Sequence, residues 1–348
     1  MRRRLFIDWM RGIAVLCMIE HHTFDAFLHP SLHGSAPDRL FRFLGGVAAP
    51  GFLFLAGLAV ALLLEDKDDV RRAAWTAARR GLVIFAGAYL FRFQEWALAG
   101  GRSPPAEMLR IDILNTIGVA LVLVALVRGS VRRPVAAFAV LALVTAFATP
   151  IVWAMPLGHV PLLLADYLRG TAPRALFPLF PWLAHAFAGA VVGTLFARAR
   201  RAEGGRDEPA FMLKLCAATV AIAAATLALD ALPVQVLPPH QWWLAAPAYF
   251  VLRTCSNVLL LAALWLVERL AQPSRKGTLA LLGRHSLVIY WVHIELVYGR
   301  WFWRARGTLD LPHGVFALAC VLASMVALAQ LVDPARKLLA GTRKVQLA

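Results

Sequence analysis

The chain has 348 residues, of which 60% are hydrophobic and 16% charged, and its mean hydropathy is +0.66. Soluble domains carry about 25% charged residues, so the composition excludes an ordinary soluble protein. The net charge is +16. Lys and Arg nevertheless cluster in short segments between apolar runs, which indicates membrane topology and anionic-lipid contact rather than nucleic-acid binding. No polar stretch could form a separate domain, so we predict one transmembrane domain over residues 1–348.

Apolar runs recur along the whole chain, and a helix needs about 20 such residues to cross a bilayer. We therefore predict an all-α, polytopic integral membrane protein with about ten transmembrane helices. The predicted spans are 5–28, 46–64, 80–98, 111–127, 134–154, 178–197, 211–230, 243–267, 278–298 and 314–332.

The segments outside these spans differ in basic content. Those on the side of the two termini hold 22 Lys and Arg residues, and those on the opposite side hold nine. Cytoplasmic segments are enriched in Lys and Arg. We therefore predict cytoplasmic N- and C-termini and an extracytoplasmic 29–45 segment.

The first span contains several ionisable residues and ends in the pair His21-His22. An Arg or Asp at the centre of a membrane helix costs about 2.5–3.5 kcal/mol, so such residues usually mark a functional site. Arg11 and His22 are three helical turns apart, which places both on one face with about 16 Å between them. Asp8 precedes Arg11 by three residues and can pair with it.

One stripe of the first helix thus carries Asp8, Arg11, His22 and Asp25. Histidine is the side chain best suited to proton transfer near neutral pH, so His22 is a candidate general base. Asp8 and Arg11 could instead form a buried ion pair that only fixes helix packing, and His22 could be an ordinary interfacial histidine.

The segment after this helix contains His29 and His33 around Pro30. His33 is either a second catalytic histidine or a solvated residue. No carboxylate or thiol completes a ligand set with these histidines, so we predict no metal site.

Polar residues also interrupt the third and fourth spans. Arg92 and Glu95 lie three residues apart near the predicted outer end of the third span, and Asp112 begins the fourth. They are candidates for substrate binding, although ion pairing and helix capping would account for them equally well.

Two later spans carry further candidates. Arg253 and Asn257 lie one turn apart, deep in the eighth span, which favours contact with a cofactor or ligand. In the ninth span Ser286, Tyr290 and His293 form one polar stripe, and His293 lies near the predicted outer end, as His22 does. We include Tyr290 and His293 among the candidate substrate-binding residues.

Several catalytic motifs are absent. The chain contains no GxSxG, HExxH, GxxxxGK[ST] or GxGxxG. Their absence argues against a serine hydrolase, a zinc metalloprotease and a nucleotide-driven pump.

Four segments together resemble the transmembrane acyltransferase superfamily, and in particular bacterial homologues of heparan-α-glucosaminide N-acetyltransferase. The superfamily also includes enzymes that O-acetylate bacterial surface polysaccharides. The segments are Arg4-x-x-x-Asp8-x-x-Arg11-Gly12 with its run to His22, Ala49-Pro50-Gly51-Phe52 to Gly57, Leu179-Phe180-Pro181-Trp182 with Gly189 and Gly193, and Gly283-Arg284-x-Ser286-Leu287-x-x-Tyr290-x-x-His293.

The resemblance implies transfer of an acetyl or other acyl group from cytoplasmic acyl-CoA to an acceptor across the membrane, through a histidine near the outer face. That histidine is His22 in the polysaccharide-acylating pattern and His33 in the heparan-modifying pattern. It acts as a general base or carries the acyl group covalently. Asp8 and Arg11 would orient the helix, and the basic residues Arg79 and Arg80 would meet the CoA phosphates.

The expected acceptor is a sugar amine or hydroxyl of a cell-envelope glycan, and the expected location is the plasma (inner) membrane. A homo-oligomer is left open. The alternative is a proton-coupled transporter or flippase of a cell-envelope precursor, which would use the ionisable stripe as a proton or substrate path. Such proteins are often built from inverted repeats and broken helices, and the sequence shows neither.

Overall fold

The computed structural model describes residues 4–101, 104–170, 174–201, 207–233, 236–271 and 277–345, with side chains described as far as 334. Within these ranges the protein is built from helices and contains no β-strand. The α-helices, in chain order, are α1 Leu5–Phe27, α2 Ala36–Gly45, α3 Ala48–Glu65, α4 Val70–Leu98, α5 Ile113–Ser130, α6 Pro134–Ala154, α7 Leu162–Leu168, α8 Leu179–Arg201, α9 Glu208–Asp230, α10 Trp242–Ala245, α11 Pro247–Ala271, α12 Thr278–Arg284, α13 Ser286–Tyr298 and α14 Leu311–Val345.

The all-α membrane fold predicted from the sequence is confirmed. In the part of the chain that the structure describes, seven candidate membrane spans are long and apolar enough to cross a bilayer. Two further helices, α1 and α4, contain most or all of a predicted span but carry more polar residues, and α4 begins at Val70, ten residues before the predicted span 80–98. The predicted span 278–298 is divided at His285 into α12 and α13. The number of spans and the side of the termini stay predictions.

The helices group into two compact units. Unit 1 comprises residues 1–49 and 263–348, and unit 2 comprises residues 50–262. The two ends of the chain therefore meet in unit 1, where α1 packs among α12, α13 and α14.

Contacts at both ends fix the position of α1. At its amino end, the carboxylate of Glu268 accepts hydrogen bonds from the backbone N–H groups of Leu5 (3.3 Å) and Phe6 (2.9 Å). These amides have no partner within their own helix. At its carboxyl end, the segment before α14 pairs with it, because Leu309 N–H donates to Phe27 and His29 N–H donates to Leu309.

Glycines let α1 and α12 cross closely. A methyl group built on Gly283 would overlap the carbonyl oxygen of Asp8, and one built on Gly12 would overlap the carbonyl oxygen of Leu279. Without a side chain at either position, the two backbones can touch. The contact brings together the first and the ninth of the predicted spans.

In unit 2, glycines allow α3 and α8 to pack closely in the same way. Methyl groups built on Gly57, Gly189 and Gly193 would collide with the backbones of Ala186, Phe54 and Leu58, respectively. Gly189 and Gly193 therefore let α8 lie in direct backbone contact with α3.

We expect Gly283→Ala to destabilise unit 1, because the added methyl group meets a backbone oxygen that no side-chain rotation can move. Overpacking of this kind costs about 1–3 kcal/mol. Thermal unfolding of the purified protein should show a lower midpoint. Gly87→Ala is the matched control, because nothing lies within 4 Å of a methyl group at that position in α4. An unchanged midpoint for Gly283→Ala would contradict this packing.

Candidate active site

A pair of histidines joins α1 to α13 in unit 1. Nδ1 of His22 lies 2.9 Å from Nε2 of His293. The two rings are stacked, with centroids 5.2 Å apart and an angle of 4° between their planes. His293 is fully buried, whereas His22 is partly exposed. We call these two residues the histidine dyad.

The hydrogen bonds of the dyad determine which nitrogens carry hydrogen. Nδ1 of His293 lies 2.9 Å from the backbone oxygen of Ile289, one turn earlier in α13. A carbonyl oxygen only accepts, so this nitrogen is the donor, and Nε2 of the neutral ring is left as an acceptor. Nδ1 of His22 must then donate to His293.

This arrangement leaves Nε2 of His22 with its lone pair. It makes no hydrogen bond to any residue that the structure describes. A neutral imidazole held in one tautomer by a second group, with the other nitrogen open to a reactant, is the arrangement that general-base catalysis requires.

Two tyrosines of α13 line the dyad. The ring of Tyr290 lies edge-on to His293, with centroids 5.9 Å apart, and the ring of Tyr298 lies edge-on to His22 at 5.6 Å. The Tyr298 hydroxyl donates to Asp25 at 2.8 Å. Of the predicted residues, His22, Asp25, Tyr290 and His293 are therefore brought together.

The predicted pairing of Asp8 with Arg11 is present but loose. The closest nitrogen and oxygen are 4.0 Å apart, and the Asp8 carboxylate is buried. Asp8 is also the residue whose backbone Gly283 touches. The pair thus lies at the crossing of α1 and α12, three helical turns from His22.

His33 lies apart from the dyad in its contacts. It ends a short 3-10 turn, is exposed, and its side chain makes no hydrogen bond to a described residue. The following Gly34 has a φ of 80°, which favours glycine. Its N–H donates to Asp38, which also accepts from Arg42.

The remaining predicted substrate-binding residues lie in unit 2. Arg92 donates to Glu95 at 2.5 Å and also to Asp112. Asp112 caps the amino end of α5, and its N–H donates a hydrogen bond to the side-chain oxygen of Asn115. These residues form one ion-pair network that ties α4 to α5.

The predicted cofactor-binding residues also belong to unit 2. Arg79 and Arg80 are exposed on α4, and the Arg79 guanidinium lies over the ring of Trp75 at 5.3 Å. Arg253 is half-buried over the ring of Tyr249, and its Nε donates to the Tyr249 hydroxyl at 3.3 Å. Asn257 is buried.

Sequence reasoning missed two residues of this region. Tyr298 lies five residues after His293, outside the stripe of Ser286, Tyr290 and His293, so periodicity gave no reason to select it. Glu268 ends a span far along the chain from the helix that it caps. Only its position beside a membrane span could have signalled a partner.

A family model described as heparan-alpha-glucosaminide N-acetyltransferase, catalytic, matches residues 3–229. The matched region contains His22 and His33 and ends before His293. A search of curated proteins finds no match. The family model covers more than half of the chain, and the helices are those of a membrane protein. The protein therefore belongs to the heparan-α-glucosaminide N-acetyltransferase catalytic-domain family of membrane acetyltransferases.

Proposed function

We propose that this protein transfers an acetyl or other acyl group from cytoplasmic acyl-CoA to an amine or hydroxyl of a cell-envelope glycan across the plasma membrane, with His22 as the general base. The observation that carries the proposal is the dyad, which leaves Nε2 of His22 able to accept a proton. Family membership supports the reaction class.

In the proposed reaction, Nε2 of His22 takes the proton of the acceptor N–H or O–H. The acceptor nitrogen or oxygen bonds to the thioester carbonyl carbon at the same time. The carbon–sulfur bond then breaks, and the proton on His22 passes to the CoA thiolate. The products are the acylated acceptor and CoA, and His22 returns to its neutral form.

His293 acts as a positioning residue in this scheme. When His22 takes the proton, its Nδ1–H still donates to Nε2 of His293. A hydrogen bond from a charged donor is about twice as strong as a neutral one. The dyad therefore stabilises the protonated state that the transition state needs. Asp8 and Arg11 hold α1 in place, three turns from the reacting atoms.

The test uses the full-length protein in proteoliposomes, with radiolabelled acetyl-CoA outside and glucosamine inside. We expect protein-dependent formation of labelled N-acetylglucosamine. Mass spectrometry of cell-envelope glycans from cells with and without the gene then identifies the natural acceptor. Passage of the sugar without any transfer of label would contradict the proposal and favour the transporter.

The predicted topology has its own test. In a background without the four native cysteines, Ser31→Cys should react with an impermeant thiol reagent from outside the cell. Ser274→Cys, which lies outside the described residues, should react only after permeabilisation. The expectation follows from the excess of Lys and Arg on the side of the termini. The reverse labelling pattern would refute the orientation and with it transfer from the cytoplasm.

A further inference from the structure

A cluster of arginines surrounds two carboxylates at one end of unit 2. Nε of Arg128, in α5, donates to Glu65 at 2.9 Å. Arg200, in α8, donates to Asp66 at 2.7 Å, and Arg201 donates to the same carboxylate at 3.1 Å. We call these residues, together with Arg198, the arginine cluster.

The arginine cluster contains more guanidinium groups than carboxylates. Arg198 lies 3.6 Å and Arg201 4.0 Å from Glu65, so the buried Glu65 faces three guanidinium groups. With four arginines against two acids, the cluster keeps an excess of positive charge. The two carboxylates hold the guanidinium groups in place. Binding of an anion would therefore cost less side-chain conformational entropy.

Much of the hydrogen-bonding capacity of the cluster is unused. The side chains of Arg198 and Arg201 are each 49% exposed. Arg198 makes no hydrogen bond to a described residue, although a guanidinium carries five donors in a fork that matches phosphate oxygens.

The amino end of α4 lies near the arginine cluster and carries charges of both signs, from Asp68 and Asp69 as well as from Arg71 and Arg72. A methyl group built on Gly129, next to Arg128, would lie 4.0 Å from the Cα atom of Arg71. The first turn of α4 contains Arg71 and Arg72, and its amino end is already capped by the Asp69 carboxylate, which accepts from Arg72 N–H at 3.0 Å. Arg79 and Arg80 lie two turns further along α4 and form no ion pair with a described residue.

We propose that the arginine cluster binds the phosphates of the nucleotide half of acyl-CoA, with Arg198 and Arg201 as the principal contacts. The inference rests on the proposed function, because it assumes an acyl-CoA donor. It moves phosphate binding from Arg79 and Arg80 to the ends of α3, α5 and α8.

The experiment measures ligand binding by the full-length protein in phosphatidylcholine nanodiscs. The ligands are CoA, dephospho-CoA, which lacks the ribose 3′-phosphate, and S-acetylpantetheine, which lacks the nucleotide. We expect Arg198→Gln/Arg201→Gln to bind CoA about 10- to 100-fold more weakly than the wild type, the effect of lost hydrogen bonds to charged groups. S-acetylpantetheine should bind both proteins equally, which also shows that the variant is folded.

Two further variants sharpen the test. Arg198→Gln alone removes a side chain without hydrogen bonds to described residues and should weaken CoA binding without loss of stability. Arg39→Gln/Arg304→Gln changes the net charge equally at exposed positions of unit 1 and should bind CoA as the wild type does. Wild-type affinity should also fall with added salt more steeply than that of Arg198→Gln/Arg201→Gln.

The outcomes separate the two proposals. If the wild type binds none of the three ligands, both the proposed acyl-CoA donor and the proposed phosphate site are refuted. If it binds CoA but Arg198→Gln/Arg201→Gln binds CoA equally well, only the proposed phosphate site is refuted. A protein that instead retains phosphatidylglycerol in native mass spectrometry, and loses it in that variant with CoA binding unchanged, has a lipid-phosphate site.

Discussion

Replacing His22 by alanine is expected to reduce acyl transfer by about 10²–10⁴-fold, the contribution of a well-placed general base. The variant should fold with reduced stability, because it leaves Nε2 of the buried His293 without its hydrogen bond from His22, a cost of about 1–3 kcal/mol. Steady-state rates in the proteoliposome assay measure the effect. The yield and the thermal midpoint of the purified variant establish that it is folded.

His33→Ala is the matched comparison, since it removes the same kind of side chain eleven residues further along the chain. The side chain is exposed and makes no hydrogen bond to a described residue, so we expect a much smaller loss. A collapse of activity only in His33→Ala would favour the heparan-modifying pattern. Near-normal rates in both variants would show that neither histidine is the base.

Replacing His293 by leucine is expected to lower kcat by about 10- to 100-fold with little change in KM for either substrate. The residue does not touch the acceptor in the proposed reaction. It accepts a hydrogen bond from His22 that strengthens as His22 takes its charge, and a bond to a charged group contributes about 1.5–3 kcal/mol. Leucine fills similar space but cannot accept that bond.

His293→Gln tests whether the accepted hydrogen bond is what matters. A glutamine side-chain oxygen can accept from Nδ1 of His22, so this variant should recover much of the lost kcat. A merely structural role would predict that both variants lose stability and rate together. Equal kcat in His293→Leu and the wild type would rule out the positioning role.

Much of the fold follows from the apolar runs, because their length and composition leave little alternative to membrane helices. The exceptions have local causes. The 29–45 segment contains α2, whose amino end is capped by the Ser35 hydroxyl accepting from Asp38 N–H. The break at His285 has no proline to signal it, and the nearby Gly283 serves the crossing with α1.

The sequence allowed the residues of the candidate site to be predicted separately on each helix. The stripes on α1 and α13 follow from the helical repeat, so each histidine could be selected from its own neighbours. Their contact could not, because hydrophobic periodicity does not say which helix packs against which. The dyad joins residues 271 positions apart. The roles of Asp8, Arg11, Arg253 and Asn257 stay predictions. For the CoA phosphates, the arginine cluster is proposed in place of the predicted Arg79 and Arg80.

The bond from His293 to the carbonyl of Ile289 limits where a proton can travel. The bond that continues from His22 through His293 to Ile289 reaches a backbone amide oxygen, which is far too weak a base to take the proton. By this route, a proton removed from the acceptor cannot move into the membrane and stays on His22 until the leaving thiolate claims it. Turnover through the dyad would therefore leave the proton gradient across an energised membrane undischarged.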